Sequence, residues 1–209
     1  MVKLMVIMAV LAMVSGSAWA ADITVKMLNQ KGVPVEGAVV TFHPETGAPL
    51  SAEDAAASIT VNQKDNNFLP FISVVPREAS VKFLNEDSVL HHVFSFSAAK
   101  RFSLKLFGKG EPQEVVFDDP GVVVVGCNIH DRMIAYLKIV ETPHAGKTED
   151  DGMVTLTDVP DSPGELRIWH PLMKGRGNEL RVAVDPATTS DVLAFERKFR
   201  RGARPTGDY

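Results

Sequence analysis

The residues best suited to chemistry lie around the only cysteine of the 209-residue chain. Cys127 is followed by His130 and Met133, and a histidine pair, His91 and His92, lies earlier in the chain. A thiolate, two imidazoles and a thioether are typical of copper sites in which cysteine and two histidines form a trigonal plane with a long axial methionine. The residue types and spacing therefore predict a copper site with Cys127 as its thiolate ligand.

Strand parity does not decide which histidine of the pair completes this site. Neighbouring residues of a strand point to opposite faces of the sheet. Val93 shares a face with His91, whereas Phe94 shares a face with His92. Because both neighbours are apolar, periodicity leaves both histidines as candidates.

The first 20 residues have the pattern of a secretory signal peptide. A basic residue, Lys3, precedes an apolar run over residues 4–14, and a small-x-small motif ends at Ala20. The apolar run is shorter than the roughly 20 residues that a spanning helix needs. We therefore expect signal peptide 1–20 to be cleaved, and the mature chain to reach the periplasm with no membrane span. A retained N-terminal anchor is the alternative.

Charge and cysteine content narrow the classes of partner. Loss of the signal peptide removes one basic residue and changes the formal net charge from −4 to −5. Such a surface has no general attraction for nucleic acid. The basic tail of residues 197–209 is the exception, and we interpret it as a solvated terminus, with docking to an acidic partner as the alternative.

A lone cysteine in an exported chain cannot form an internal disulfide, so a metal bond is one way to protect its thiolate.

Short apolar runs separated by turns predict an all-β fold. In the middle of the chain the strand candidates are residues 58–61, 68–75, 80–84, 92–96, 114–117, 121–125 and 133–140. Outside it they are residues 22–29, 39–42, 153–156, 165–169, 180–184 and 191–195. One helical turn is expected within residues 52–57. The basic and apolar stretch at residues 100–109 is interpreted as a solvated loop, or as a docking surface for a redox partner.

The outer strands are too few to form two separate sandwiches. Two strands alone are marginally stable. We therefore predict that residues 21–48 and 146–196 form the two parts of one small β-sandwich. Residues 58–142 form a second sandwich, inserted in the first or followed by its larger part. One extended β domain with decorations is the alternative.

The middle region resembles the cupredoxins of the plastocyanin and amicyanin kind. The motifs are Phe83-Leu84-Asn85, then His91-His92-Val93, then Cys127-x-x-His130-x-x-Met133, and the last is most similar to amicyanin. Residues 87–143 are also similar to periplasmic cupredoxin-like proteins of the methylamine utilisation type. The resemblance covers about residues 58–142 and implies a Greek-key β-sandwich with one type 1 copper site.

The family's ligand pattern falls on four positions of this chain. Its first histidine ligand corresponds to His91, and the other three ligands correspond to Cys127, His130 and Met133. The resemblance implies a protein that carries single electrons between redox partners and is not an enzyme. Zinc also binds cysteine and histidine, but methionine is a poor ligand for it.

The chain departs from the family pattern directly after His91. Many cupredoxins have an asparagine there, whose backbone N–H donates to the cysteine sulfur and whose side chain braces the copper loop. His92 occupies that position here, so its imidazole is expected to brace the loop differently, through Asn128. Asn85, from the first motif, is expected beside the ligands as well, and such neighbours tune a metal site.

The flanking segments resemble the carboxypeptidase regulatory, transthyretin-like sandwich. The resemblance rests on residues 29–40, 148–152 and 156–160. It implies a structural or interaction module that contributes no catalytic residues. Two alternative functions remain at this point. One is a copper carrier or assembly factor whose metal is cargo, and the other is a non-redox protein whose flanking sandwich binds a partner in the envelope.

Overall fold

The structure is a computed structural model that describes residues 20–47, 49–189 and 192–200. The predicted signal peptide, apart from Ala20, and most of the basic tail lie outside these residues. Strands form most of the regular structure, which confirms the all-β prediction. A single turn of α-helix, α1 (Ala52–Ala55), lies where the sequence predicted it. Among the described residues no helix is long and apolar enough to cross a bilayer.

The middle of the chain contains nine strands in two sheets. They are β3 (Ser58–Lys64), β4 (Asn67–Leu69), β5 (Ile72–Pro76), β6 (Ser80–Asn85), β7 (Val93–Ser97), β8 (Lys100–Ser103), β9 (Gln113–Val116), β10 (Gly121–Cys127) and β11 (His130–Val140). One sheet has the order β5-β11-β10-β7-β8 and the other β4-β3-β6-β9. Both sheets contribute buried apolar residues to one core, so they form a β-sandwich.

Strands from both ends of the chain share two further sheets. They are β1 (Ala20–Asn29), β2 (Val39–Pro44), β12 (Ala145–Lys147), β13 (Met153–Pro160), β14 (Gly164–Trp169), β15 (Glu179–Val184) and β16 (Leu193–Arg197). The sheet orders are β13-β1-β16 and β12-β2-β14-β15. Their buried side chains form a separate core around Met27, Phe42 and Ile168. This second pair of sheets is therefore built from strands that precede the middle region in the sequence and strands that follow it.

Two strand predictions for the middle region differ from the structure. The run at residues 68–75 forms two strands, β4 and β5, which are separated at Pro70. The basic stretch predicted as a loop contains β8. Phe102 of β8 points inward, with its ring centroid 5.9 Å from that of Phe83 and 6.0 Å from that of Phe117. Its neighbour Arg101 is exposed, as is common for charged residues on edge strands, so the basic residues concealed the strand.

The two pairs of sheets meet along an apolar seam on the outer side of β11. Trp169 is 3% exposed and its ring centroid lies 6.0 Å from that of Tyr136. Phe71 packs edge-on against the same tyrosine, at 5.3 Å between centroids. At one side of the seam, Lys138 Nζ lies 3.1 Å from Glu179 Oε2 and 5.7 Å from the centroid of the Trp169 ring. β11 therefore connects the seam directly to His130 at its first residue.

Glu179→Gln should lower the free energy of unfolding at neutral pH by about 1 kcal/mol, since it leaves Lys138 without its partner in a mostly buried place. Urea unfolding of the purified chain would measure the change. Glu165→Gln is the matched control, because Glu165 is more exposed and its loss should cost less than about 0.5 kcal/mol. Equal losses in the two variants would contradict the importance of the seam contact.

The effect of Glu179 should also depend on pH. Burial alone would raise the pKa of Glu179, but Lys138 and Arg181 lower it, and the net shift is downward from 4.5. A depressed pKa stabilises the folded state above the unfolded-state pKa, and this contribution is lost as the pH falls through the folded-state pKa. The difference in stability between wild type and Glu179→Gln should therefore shrink below about pH 4.5.

Candidate metal centre

The hairpin of β10 and β11 holds three of the four residues predicted as ligands. Along β10 the β-branched Val123 and Val125 are buried on the core face, and Cys127 continues that face at the end of the strand. Cys127 pairs with His130 across the turn, but Gly126 already pairs with Ile134. The register shift leaves residues 131–133 outside the ladder.

Met133 occupies the last position of this irregular segment. It is 2% exposed and belongs to the same buried core cluster as Cys127. From Met133 onward, alternate residues of β11 are buried. The irregular segment therefore allows the short loop to turn its methionine to the core face that also carries the cysteine.

His91 reaches the same end of the sandwich from the segment that precedes β7. Its backbone forms a bridge with Phe107, with an N–H···O distance of 3.1 Å in each direction. The side-chain amide of Asn85 donates to the carbonyl oxygens of Val89 (2.8 Å) and Phe107 (3.0 Å). Asn85 is 4% exposed, so it fixes the two segments that hold His91 from within the core.

Three donor atoms form a compact triangle. His91 Nδ1 lies 3.2 Å from His130 Nδ1 and 3.7 Å from Cys127 Sγ, and His130 Nδ1 lies 3.5 Å from the same sulfur. A metal with bonds of about 2.0 Å to nitrogen and 2.3 Å to sulfur, at angles of about 110° to 120°, separates its donors by roughly 3.3 to 3.8 Å. The three donors therefore fit one metal ion with little movement.

Most of this cluster is shielded from water. His91 is fully buried and Cys127 is 5% exposed, whereas His130 is only partly buried. A buried thiolate is protected from oxidants in solution, since exposure promotes oxidation. The partly exposed His130 is the side of the donor triangle that reaches the surface.

Asp87 fixes the orientation of His91. Its Oδ2 lies 2.8 Å from His91 Nε2, and the carboxylate also accepts the backbone N–H groups of Asp65 (2.7 Å) and Asn66 (3.1 Å). An ionised carboxylate can only accept, so Nε2 carries the hydrogen, and in the neutral imidazole this leaves the lone pair on Nδ1 for the donor triangle. Burial alone would raise the pKa of Asp87, but the hydrogen bonds from His91, Asn66 and Asp65 hold it below its usual value.

His92, which also precedes β7, directs its imidazole towards β8. Its Nε2 is 2.8 Å from Ser103 Oγ, and its ring centroid is 6.2 Å from that of Phe94. The brace to the loop of residues 127–133 comes from the backbone, because the N–H of Asn128 donates to the carbonyl oxygen of His92 at 3.0 Å. The structure thus brings His91, Cys127 and His130 together, and places the imidazole of His92 outside this group.

Sequence reasoning did not identify Asp87 or Phe107 as part of the site. Asp87 precedes His91 by four residues, and a carboxylate close to a candidate histidine ligand is the signal that could have found it. Phe107 contributes through its backbone and a ring that is 2% exposed. Nothing in its residue type distinguishes that role from ordinary packing.

Comparisons with known proteins reach only part of the chain. No family model and no curated protein matches it. Solved structures of cupredoxins are similar to it, among them a purple cupredoxin from Nitrosopumilus maritimus at 21% identity and TM-score 0.37, covering 39% of this chain and 99% of that one. A reduced amicyanin mutant matches at 17% identity and TM-score 0.37, covering 48% of this chain and 99% of the amicyanin chain.

A copper-containing nitrite reductase from Thermus scotoductus is also similar, at 22% identity and TM-score 0.40. The match covers 56% of this chain and 28% of the reductase. The transthyretin-like resemblance of the flanking segments stays a prediction.

Proposed function

We propose that this chain is an exported type 1 copper protein that carries single electrons between redox partners. The observation that carries the proposal is the triangle of His91 Nδ1, His130 Nδ1 and Cys127 Sγ, with separations of 3.2 to 3.7 Å. Met133, buried in the same cluster, is proposed as the axial ligand. Copper bound there would supply a one-electron couple.

The surrounding residues favour small geometric changes between two oxidation states. Cys127 and His130 are paired residues of one hairpin, and Asp87 holds the ring of His91 through Nε2. Asn85 joins the backbone segments behind that ring. Ligands held from behind in this way change position little when the metal charge changes, which keeps the reorganisation barrier to electron transfer low.

The proposed route for the electron passes through His130. Its ring joins the buried triangle to the surface, and Ile129 beside it is 51% exposed. Leu90 and Leu106, which stand next to His91 and Phe107 in the sequence, are 52% and 53% exposed. Contiguous exposed apolar patches mark interaction sites, and a redox partner protein is proposed to dock over these three residues.

We propose the insertion arrangement for the domains. Residues 21–48 and 146–196 would form one sandwich, with residues 58–142 inserted as the copper domain. The support is that β1 pairs with β13 and β16, and β2 with β12 and β14. The periplasm is the proposed location, on the signal-peptide pattern of residues 1–20.

The first test is the visible spectrum of the mature chain after Cu(II) is added. We expect an intense thiolate-to-copper band and a reversible redox couple. Cys127→Ser should remove the band, since the charge transfer originates on its sulfur. A colourless wild-type complex would overturn the proposal. Rapid loss of copper to a chelator without a reversible couple would instead identify a copper carrier.

A further inference from the structure

A groove lies on the face of the five-stranded sheet that points away from its core, beside the proposed copper site. It has a volume of about 500 Å³, and apolar side chains from three adjacent strands, Phe94, Phe96, Val124 and Ile134, form its walls. Phe96 is 76% exposed and Val124 is 37% exposed. A contiguous group of apolar side chains this exposed on a sheet face is typical of a surface that a ligand or a partner protein covers.

The floor of the groove depends on a glycine. Gly126 is paired with Phe94, and a Cβ built on Gly126 would lie only 3.3 Å from Cζ of the phenylalanine ring. The ring therefore lies over the position where any other residue would place a side chain. The centroids of the Phe94 and Phe96 rings are 5.1 Å apart. Together the two rings form a continuous aromatic wall.

One end of the groove is polar. Asn128 and Asp131, from the copper loop, line that end, and of the described lining residues Asp131 alone has a charged side chain. Arg101 stands opposite Phe96 in the β7–β8 pair, at the other end of the aromatic wall. This distribution of charge favours a molecule whose cationic group faces Asp131 and whose aromatic body lies on the two phenylalanine rings. The faces of these rings also attract a cation.

The size of the groove fits a small molecule. Its volume of about 500 Å³ lies within the roughly 300 to 1,000 Å³ of ligand pockets. Ile134 lines the groove and also packs against the seam that contains Phe71 and Trp169. The groove is thus continuous with an interface that the chain already covers with its own second pair of sheets.

We propose that this groove binds a small aromatic molecule that carries a single cationic group. The ligand would rest on Phe94 and Phe96 with its cation at Asp131. Because Cys127 and Met133 also line the groove, the bound molecule would lie against the backbone of the copper loop. This site is additional to the proposed electron carrier and does not require copper.

Three probes with one aromatic body test the proposal in the metal-free full chain. They are 2-naphthylmethylammonium, 2-naphthylmethanol and 2-naphthoate, titrated while backbone amide NMR shifts are followed. We expect saturable shifts at Phe94, Gly126 and Asn128, with affinity in the order ammonium, alcohol, carboxylate. Asp131→Asn should weaken ammonium binding by up to about fivefold, the upper end of what one exposed ion pair contributes, and leave alcohol binding unchanged.

A second variant distinguishes binding in the groove from nonspecific binding to other apolar surfaces. Phe96 is largely exposed, so Phe96→Ser should fold and should weaken the ammonium and the alcohol alike. The proposal is overturned if no probe gives saturable shifts, or if ammonium and alcohol bind equally to the wild type. It is also overturned if the shifts fall on Leu90, Leu106 and Ile129. Since copper is absent, these outcomes are independent of the spectral test of electron transfer.

Discussion

His91→Ala should abolish the thiolate-to-copper band of the copper-loaded chain, whereas His92→Ala should leave it in place. The fully buried His91 directs Nδ1 at Cys127 Sγ and His130 Nδ1, at 3.7 Å and 3.2 Å. Its loss leaves two strong donors, and the vacated space would admit water to the thiolate. His92 instead contacts Ser103. Copper titration followed by visible absorption would measure both variants.

The pair of variants also contains its own control. Both remove an imidazole from adjacent positions of the segment before β7, but His91 is fully buried and His92 is only partly buried. Thermal unfolding of the two metal-free forms would therefore measure the effect of each substitution on folding. Loss of the band in His92→Ala with retention in His91→Ala would show that the ligand assignment is wrong. Titration with imidazole should partly restore the band of His91→Ala if the site remains intact.

Asp87→Asn should weaken copper binding by about 10- to 100-fold, the usual cost of losing a hydrogen-bonding partner of a ligand. The amide can still accept a hydrogen bond from His91 Nε2, but it carries no charge. Removal of a negative charge 2.8 Å from the ligand ring favours the less positive oxidation state of the metal. The reduction potential should therefore rise. Cyclic voltammetry and competition with a chelator of known affinity would measure the two effects.

The matched control for this change is Glu86→Gln. Glu86 is the exposed neighbour of Asp87, so its substitution removes the same charge from the same segment. A purely long-range effect of charge would move both potentials equally, and that result would contradict the positioning role of Asp87. In the metal-free chain, Asp87→Asn should also lower the free energy of unfolding by about 1 to 2 kcal/mol. The reason is that the carboxylate accepts three hydrogen bonds there.

Much of the site is predictable because its parts are local. Cys127, His130 and Met133 lie within seven residues, and a short hairpin leaves them few ways to be arranged. The choice between His91 and His92 depends on which of the two side chains points into the core from the segment before β7, and apolar neighbours on both faces conceal it. The resemblance to cupredoxins favours His91 where strand parity leaves both histidines as candidates.

Other features depend on contacts that a sequence does not display. Asp87 acts through the turn at Asp65 and Asn66, more than twenty positions away. β8 has one inward aromatic residue, Phe102, which follows two basic residues, so the sequence of this strand resembles that of a loop. The strand becomes recognisable only when Phe83 and Phe117 are known to pack against Phe102. In both cases the missing information is the identity of a distant partner.

The arrangement of the four sheets has a consequence for the order of folding. Thr24 and Thr155, 131 positions apart, share a hydrogen bond of 2.9 Å, so the outer sheets must close a very long loop. Both ends of the middle region contact one turn, since Ser80 donates to the carbonyl oxygen of Ala57 and Arg77 to that of Val140. If the middle region folds first, it shortens this loop about 2.6-fold and lowers its closure cost by roughly 0.8 kcal/mol. The region that contains the proposed copper ligands would then bring the remaining strands together.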